Sequence, residues 1–271
     1  MTVPFENDTG NIVRKLARKS LISEKRRNLV VVIAVALASC LICFSIVMAL
    51  STRQIEKNHV EDTYEAVYTR ITEEDVSTLK GLDDFSRVGE YYMLAVEPAE
   101  QGYNASYIYC DEETMYIARD QMKLLEGRLP QKEDEVVVSR YFLSNYAADA
   151  GIGEKVMLSS ESFHGEYTVT GIMEGYKEKE VNGSSILLSK EALKGWSGYD
   201  PADYRAYVHF KNEQQMDETE LTARSREIAK EYQLEMPIMN LSYMKFYKQP
   251  VNVSMLALVA GIAVLVIIGG Y

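Results

Sequence analysis

The chain has 271 residues, of which 40 are acidic and 29 basic, so its net charge is −11. Its length suffices for one or two domains with membrane segments, and its acidic character argues against a nucleic-acid partner, whose phosphates it would repel. Three cysteines are too few for a disulfide framework, so an exported domain of this size must be held by its hydrophobic core.

The first 28 residues are basic, with seven Lys or Arg, three acidic residues and a net charge of +4. Residues 11–23, after the cap candidates Asp8 and Thr9, place apolar and basic side chains on different sides of a helix. The apolar side contains Ile12, Val13, Leu16, Ala17 and Leu21. This pattern predicts a short amphipathic helix along the inner headgroup layer. A positive-inside anchor without a further role explains the same residues.

A run of 22 residues without a charged side chain follows, from Leu29 to Leu50. As a helix it would extend over roughly 33 Å, enough to cross a hydrocarbon core of about 30 Å. Unlike a core helix of a soluble protein, it is apolar on every face. We therefore predict transmembrane helix 1 at residues 29–50, and we expect the helix to continue outward into the polar segment 51–63.

A cleaved secretory signal is one alternative to this span, because Val47 and Ala49 form a small-residue pattern before Leu50. A signal usually has a shorter apolar core, however, and here a 28-residue segment precedes the run. A lipoprotein signal needs its cysteine at the end of the apolar run, whereas Cys40 and Cys43 lie inside it. A spanning helix is therefore the preferred interpretation.

A second uncharged run, residues 251–271, reaches the end of the sequence, and the residues between the two runs carry a net charge of −15. Because basic flanks of a membrane helix stay in the cytoplasm, this asymmetry sets the orientation. We predict that residues 1–28 lie on the cytoplasmic side of a bacterial cell membrane and that residues 51–250 form the extracytoplasmic domain. Transmembrane helix 2 is predicted at residues 251–271.

Residues 51–250 predict an α+β fold, with Val, Ile and Tyr-rich strands and a few helices between Gly and Pro turns. The predicted strands are Ala66–Ile71, Arg87–Ala95, Ser106–Cys110, Glu135–Ser139, Lys155–Ser159, Tyr167–Met173, Ser185–Leu188 and Tyr204–Phe210. The predicted helices are Glu73–Lys80, Tyr141–Ala148 and Asp217–Tyr232, the last opened by Asp217. Because the chain must leave the membrane and return to it, we expect two lobes. One is membrane-proximal, built from about 51–95 and 204–250, and the other is distal, about 96–203.

The sequence lacks the spacing of a catalytic or metal site. His59, His164 and His209 lie far apart, and there is no Cys-x-x-Cys pair and no Gly-Lys-Ser/Thr phosphate loop. Gly151-Ile-Gly153 lacks the third glycine of a dinucleotide fingerprint, and Gly195-Trp-Ser197-Gly198 indicates a turn rather than a nucleophile elbow. We therefore expect no enzyme and no cofactor, and we assign no catalytic, cofactor-binding or metal-binding residues.

Three other features have a structural and a functional interpretation. The acidic runs Asp111-Glu112-Glu113 and Glu133-Asp134-Glu135 have oxygen atoms for a cation, but such runs are most often solvated loops or helix starts. The 18 tyrosines of residues 51–250 suit a binding surface, yet tyrosine is also a common strand residue, which we favour. Trp196, the single tryptophan, is a candidate exposed anchor.

Four segments carry a resemblance to a known family. They are Leu125-Glu-Gly-Arg-Leu-Pro130, Glu135-Val-Val-Val-Ser139, Gly151-Ile-Gly-Glu-Lys-Val156 and Glu166-Tyr-Thr-Val-Thr-Gly171. They lie between two predicted membrane helices, the first of which follows the basic segment Glu24-Lys-Arg-Arg-Asn28. In order and spacing, over most of residues 11–271, the chain resembles an FtsX-like ABC-transporter permease with a MacB-type periplasmic core domain.

The resemblance implies a transporter that does not carry its substrate through the membrane helices. Such a permease converts closure of a cytoplasmic ABC ATPase subunit into movement of the extracytoplasmic domain, which extracts or exports a lipid, peptide or drug, or signals within the envelope. The implied partners are the ATPase, the lipid bilayer and a second permease unit in a dimer. Members usually have four membrane helices per unit, so this chain, which stops in its second, is interpreted as a fragment or a truncated form.

The main alternative is a membrane-tethered sensor or binding protein that recognises an envelope component without coupling to ATP. An extracellular hydrolase is disfavoured because the catalytic spacing is missing. An adjacent gene for an ATPase with a phosphate loop would favour the transporter, whereas an adjacent kinase gene alone would favour the sensor.

Overall fold

A computed structural model describes residues 9–23, 25–60, 63–119, 121–175, 178–212 and 215–244. The chain divides into two compact units, one of residues 1–55 with 250–271 and the other of residues 56–249, which we call the central domain. The predicted transmembrane helix 2 at 251–271 lies outside the described residues.

Two helices precede the first strand. α1 (Thr9–Ser23) is the predicted basic amphipathic helix, and its apolar Ile12, Val13 and Leu16 are 57%, 61% and 64% exposed. α2 (Lys25–Val60) contains the predicted span and continues past Leu50, as expected for the polar segment.

The apolar part of α2 satisfies its own polar groups. The hydroxyls of Ser39, Ser45 and Thr52 each donate to the carbonyl oxygen four residues earlier, at 2.8–2.9 Å. Such internal bonding is what an apolar environment requires of a helix. In the described part of the chain, the segment Val35–Thr52 is the one stretch of helix long and apolar enough to cross a membrane.

The central domain combines strands and short helices. The strands are β1 (Ala66–Ile71), β2 (Phe85–Pro98), β3 (Asn104–Cys110), β4 (Met122–Gly127), β5 (Glu135–Ser139), β6 (Lys155–Ser159), β7 (His164–Gly175), β8 (Gly183–Leu188), β9 (Tyr204–Phe210) and β10 (Ile238–Met239). The helices are α3 (Glu73–Lys80), α4 (Glu112–Ile117), α5 (Arg140–Tyr146), α6 (Glu178–Val181), α7 (Lys190–Gly195), α8 (Glu218–Glu231) and α9 (Leu241–Tyr243). The prediction missed β4, β10, α4, α6, α7 and α9, and it extended α5 two residues too far.

The described strands form one mixed sheet in the order β10-β1-β9-β2-β3-β8-β5-β7-β4, with β6 added beside β7. The pairs β3–β8 and β5–β7 are parallel, and the other pairs are antiparallel. The mixed α/β class is therefore confirmed. β10, β1 and β9 come from the two ends of the central domain, and β3 to β8 come from its middle. The lobe boundaries stay a prediction.

Both faces of the sheet bury apolar side chains. One face packs α3, α5, α7 and α8 over a large core that includes Tyr68, Phe142, Leu193 and Ile228. The other face carries a smaller core with Ile117, Val137 and Leu187, and α4 lies over it. Since both faces are covered, a central strand can be buried at every position rather than at alternate ones, as β5 is.

Local capping fixes where the main helices begin. Asp217 accepts the backbone N–H of Glu220 at 2.8 Å, and Glu220 accepts the N–H of Asp217 at 2.9 Å, so the predicted start of α8 is confirmed. Thr72 and Asp75 form the same reciprocal pair at the start of α3.

Candidate functional site

The chain enters and leaves the central domain on two adjacent strands. Residues 63–65 lead into β1, and β10 with α9 forms the exit. β1 and β10 pair antiparallel, with Ala66 opposite Met239 and Val67 opposite Ile238. We call residues 63–67 together with 238–243 the junction.

Asn240 joins the two segments of the junction. Its side-chain nitrogen donates to the carbonyl oxygen of Tyr64 at 2.9 Å, and its backbone N–H donates to the carbonyl oxygen of Glu65 at 2.8 Å. Its side-chain oxygen accepts the N–H groups of Ser242 and Tyr243, each at 3.2 Å, and so begins α9. The side chain is thus used as donor and acceptor at once, and it is buried.

Glu65 attaches the entry segment to β9. Its carboxylate is fully buried, with one oxygen 2.7 Å from Nδ1 of His209 and the other accepting the N–H of Phe210 at 2.7 Å. Its backbone N–H donates to the carbonyl oxygen of Val208 at 3.0 Å. A carboxylate is tolerated in such a place only with bonds of this kind.

Tyr64 connects the junction with the opposite face of the sheet. Its N–H donates to the carbonyl oxygen of Ile117 at the end of α4, at 3.1 Å. Its ring meets that of Tyr207 edge-on at 4.7 Å, and its hydroxyl accepts the side-chain N–H of Gln121. Entry, exit, β9 and α4 are therefore bonded to one another through buried groups.

The first acidic run, residues 111–113, serves the structure. Asp111 caps α4 by accepting the N–H of Thr114 at 2.9 Å and pairs with Lys80 at 2.9 Å, while Glu113 pairs with Arg87 at 2.9 Å. In the described part of the chain, no group of three His, Cys, Asp or Glu side chains is placed to hold a metal ion.

The segments that carry the resemblance form one structural unit. The guanidinium of Arg128 donates two hydrogen bonds to the carboxylate of Glu135, at 2.8 and 2.7 Å. That carboxylate also accepts the N–H of Gln131 at 2.9 Å. This pairing holds the pKa of Glu135 down at about 2, chiefly through the Arg128 bonds. Gly127 has φ +83°, and a Cβ there would lie 2.2 Å from the carbonyl oxygen of Thr170 on β7. The spacing of these residues is therefore set by the packing of β4, β5 and β7.

Among the described residues, most tyrosines are buried in the core, as the structural interpretation predicts, and ten of them are under 10% exposed. They are Tyr64, Tyr68, Tyr91, Tyr92, Tyr103, Tyr107, Tyr109, Tyr204, Tyr207 and Tyr243. Trp196 is not an exposed anchor, because it is partly buried and stacks on Phe163 at a ring distance of 6.2 Å. Cys110 is buried too, and burial raises the pKa of its thiol.

A shallow cavity of about 400 Å³ lies between α5 and α6. Its lining residues are Arg140, Tyr141, Ser144, Glu174, Gly175, Glu178, Lys179 and Glu180. The one buried carboxylate among them, Glu178, accepts the N–H of Ser185 at 2.7 Å, and burial raises its pKa. That group closes the turn into β8, so it is used by the fold.

A model of the MacB-like periplasmic core domain family matches residues 29–226, most of the chain. The chain belongs to this family. The resemblance inferred from the four segments is thereby confirmed, and the mixed sheet with its Arg128–Glu135 unit is the MacB-like core of this chain.

No curated protein matches this MacB-like chain by sequence. Among solved structures, it is similar to the extracellular domain of the ABC-type transporter YknZ from Gram-positive bacteria, with 15% identity, a TM-score of 0.47 and coverage of 66% of this chain and 100% of that one. It is also similar to the periplasmic region of MacB from Actinobacillus actinomycetemcomitans, with 11% identity, a TM-score of 0.47 and coverage of 69% and 92%. A permease domain from Porphyromonas gingivalis has 14% identity, a TM-score of 0.45 and coverage of 72% and 96%.

Proposed function

We propose that this chain is a permease subunit, or part of one, in an ABC transporter of the FtsX and MacB type. In this proposal a cytoplasmic ABC ATPase moves the membrane helices, and the junction passes that movement to the central domain. The junction is the observation that carries the proposal. Asn240 bonds the entry to the exit, at 2.9 Å to the carbonyl oxygen of Tyr64, so relative motion of the two ends must be transmitted or must break buried bonds.

The N-terminal helices support a location in the cell membrane. α2 has the length and apolar surface of a span, and α1 has exposed Ile12, Val13 and Leu16 beside four basic residues and no acidic one. An apolar stripe with basic flanks suits an anionic inner leaflet. We therefore propose that α1 is cytoplasmic and that the central domain is extracytoplasmic, since basic flanks stay inside.

The output of this movement is the export or extraction of a lipid, peptide or drug, or a signal within the envelope. The chain itself acts without a catalytic group in this proposal, so it is not an enzyme, and two permease units assemble with the ATPase. Neither predicted span contains a charged side chain, so they lack the groups that line a solute pathway. The work is therefore done outside the bilayer.

The decisive experiment is co-purification of the full reading frame with the ATPase encoded beside it, in mild detergent. We expect a stable complex whose ATPase activity exceeds that of the ATPase alone. In the complex, Asn240→Ala should reduce this stimulation while leaving assembly intact. The matched control is Asn145→Ala, which removes an exposed amide that donates within its own helix, α5, at 2.7 Å to the carbonyl oxygen of Tyr141.

The proposal is contradicted if the protein encoded by the full reading frame purifies without the ATPase and does not change its rate of ATP hydrolysis. The membrane-tethered sensor would then replace the permease as the interpretation, since it requires the same anchored domain but no coupling.

A further inference from the structure

The strand pairing of the central domain divides into two half-sheets that share one short stretch of β2, while both cores extend under the two halves. β2 pairs with β9 from Phe85 to Tyr92, and it pairs with β3 from Tyr91 to Pro98. Only Tyr91 and Tyr92 are paired on both sides. The first half-sheet is therefore β10, β1, β9 and the start of β2, and the second is the end of β2 with β3, β8, β5, β7, β4 and β6.

The strand is irregular just beyond the shared residues. The β2–β3 register shifts between Met93 and Ala95, so Leu94 is a bulge, and bulges bend and twist a strand. On the first-half side, α4 packs closely on β2. A Cβ at Gly89 would lie 2.4 Å from the hydroxyl oxygen of Thr114, so α4 is closely packed on this part of β2. The pairing of β2 is therefore irregular at Tyr91–Ala95, where the strand passes from one half-sheet to the other.

The boundary between the half-sheets, which we call the seam, runs along Tyr91 and Tyr92 of β2, and other tyrosines pack around it. Tyr92 packs on Tyr204 at 5.1 Å and on Tyr199 at 5.8 Å, and its hydroxyl exchanges bonds with the backbone of Asp200 at 2.9 and 3.2 Å. The hydroxyls of Tyr199 and Tyr204 are 3.3 Å apart. Tyr92 and Tyr204 are buried, and their hydroxyls are bonded within this cluster.

Ion pairs cross the same seam. α7 follows β8 of the second half-sheet, and its Lys190 and Lys194 lie 2.7 and 3.0 Å from the two carboxylate oxygens of Glu73 on α3. α3 packs on β2 and β9 of the first half-sheet. Lys190 also bonds the buried Glu90 of β2 at 2.6 Å. Glu73 is thus the shared acceptor of both lysines, and it is 40% exposed, so water can replace them when the seam opens.

We propose that the two half-sheets pivot about Tyr91 and Tyr92, and that Glu73, held by Lys190 and Lys194, latches the arrangement seen here. The inference concerns the central domain alone and does not depend on coupling to an ATPase. The domain then has two states, and whatever binds the seam or pulls on one half-sheet selects between them.

The test measures the distance between the half-sheets in the full chain in nanodiscs. Spin labels are placed on Thr78→Cys of α3 and Ser144→Cys of α5, both exposed, with Cys40 and Cys43 replaced by alanine and the buried Cys110 kept. Electron–electron double resonance then gives the distance distribution. In Glu73→Ala we expect a second population at a different distance. The fraction of molecules in this population should be roughly five times the fraction found in the unaltered chain.

The matched control is Glu166→Ala, which removes a carboxylate paired with Lys155 at 2.8 Å within the second half-sheet. It should keep the original distribution. Lys194→Ala leaves the Lys190 bonds in place, so the fraction of molecules in the second population should lie between those of the unaltered chain and Glu73→Ala. This variant also provides the test if Glu73→Ala folds poorly. The latch is overturned if both latch variants keep the original distribution, or if the unaltered chain is already as broadly distributed as Glu73→Ala.

Discussion

Arg128 and Glu135, seven positions apart, face each other as a two-pronged ion pair with oxygen–nitrogen distances of 2.8 and 2.7 Å. The Glu135 side chain is 9% exposed and the Arg128 side chain 50% exposed. The pair therefore covers a buried carboxylate with a half-exposed guanidinium, at the point where β4 ends and β5 begins. Planar, two-bond pairs of this kind are stronger than single-bond pairs.

Arg128→Ala should lower the midpoint of urea unfolding of the central domain, because it leaves Glu135 with only backbone donors. The single tryptophan, Trp196, is partly buried against Phe163, so its fluorescence reports the transition in the full chain. Arg226→Ala, at an exposed position of α8, is the control and should leave the midpoint unchanged. Equal midpoints for the two variants would contradict a stabilising role of the pair.

The same pair predicts a dependence on pH. The folded pKa of Glu135 is about 2, below its ordinary value of 4.5, so its contribution to stability is fully present above 4.5 and is lost as the pH falls through about 2. Glu135→Gln lacks this ionisation. The difference in unfolding free energy between the natural chain and this variant should therefore shrink between pH 4.5 and 2. A constant difference would show that the ion pair is not its cause.

Gly127→Ala should destabilise the central domain by about 2–4 kcal/mol, because the residue has a left-handed backbone and the added Cβ meets a β7 carbonyl. Gly153 provides the control, since its φ is +90° but no atom lies within 4 Å of the position that a Cβ would take there. Gly153→Ala should cost about 1 kcal/mol, from backbone strain alone. Urea unfolding measures both, and equal losses would exclude the steric contribution.

His209→Ala should reduce stability by about 1–2 kcal/mol, because it removes a bond to the buried Glu65 carboxylate of the junction. His164→Ala removes an exposed imidazole at the start of β7 and should have no measurable effect. Thermal unfolding of the full chain in detergent compares them. If the two histidine variants have the same melting temperature, the imidazole contact does not stabilise the entry segment.

Cysteine labelling tests the predicted orientation. Cys110 should resist a membrane-impermeant maleimide until the chain is denatured, because its thiol is buried. New cysteines at Val96 and Val181, which are 63% and 62% exposed, should react in intact cells. Protection of both positions in intact cells, with reaction after lysis, would place the central domain in the cytoplasm.

Strong local patterns predicted much of the fold. β1, β5, β6, β9 and α3 have the predicted bounds because Val and Tyr-rich runs and the Thr72 cap specify them locally. β4 was missed because its sequence, Met122 to Gly127, has no β-branched residue and is a strand only through pairing with β7. α4 and α7 were missed because each is six residues long, too short for an apolar period, and depends on the caps Asp111 and Ser189.

The junction could not be predicted from the sequence. Asn240 and Tyr64 are 176 positions apart, and Glu65 and His209 are 144 apart, so no local spacing connects them. The sequence contained one signal, which is that the predicted chain path must return to the membrane where it left. The Arg128–Glu135 contact was easier to predict, because both residues lie in segments that carry the resemblance. Their pairing nevertheless depends on the packing of β4 against β7.

The adjacency of β1 and β10 makes the central domain an insertable module. Its two chain ends emerge on paired strands, so a host membrane protein needs only a narrow gap between two helices to accept it. We therefore expect that this domain can be exchanged between permeases as one gene segment. For the same reason, a short loop between residues 244 and 63, with new termini opened in an exposed turn such as the one around Gly153, should give a water-soluble circular permutant.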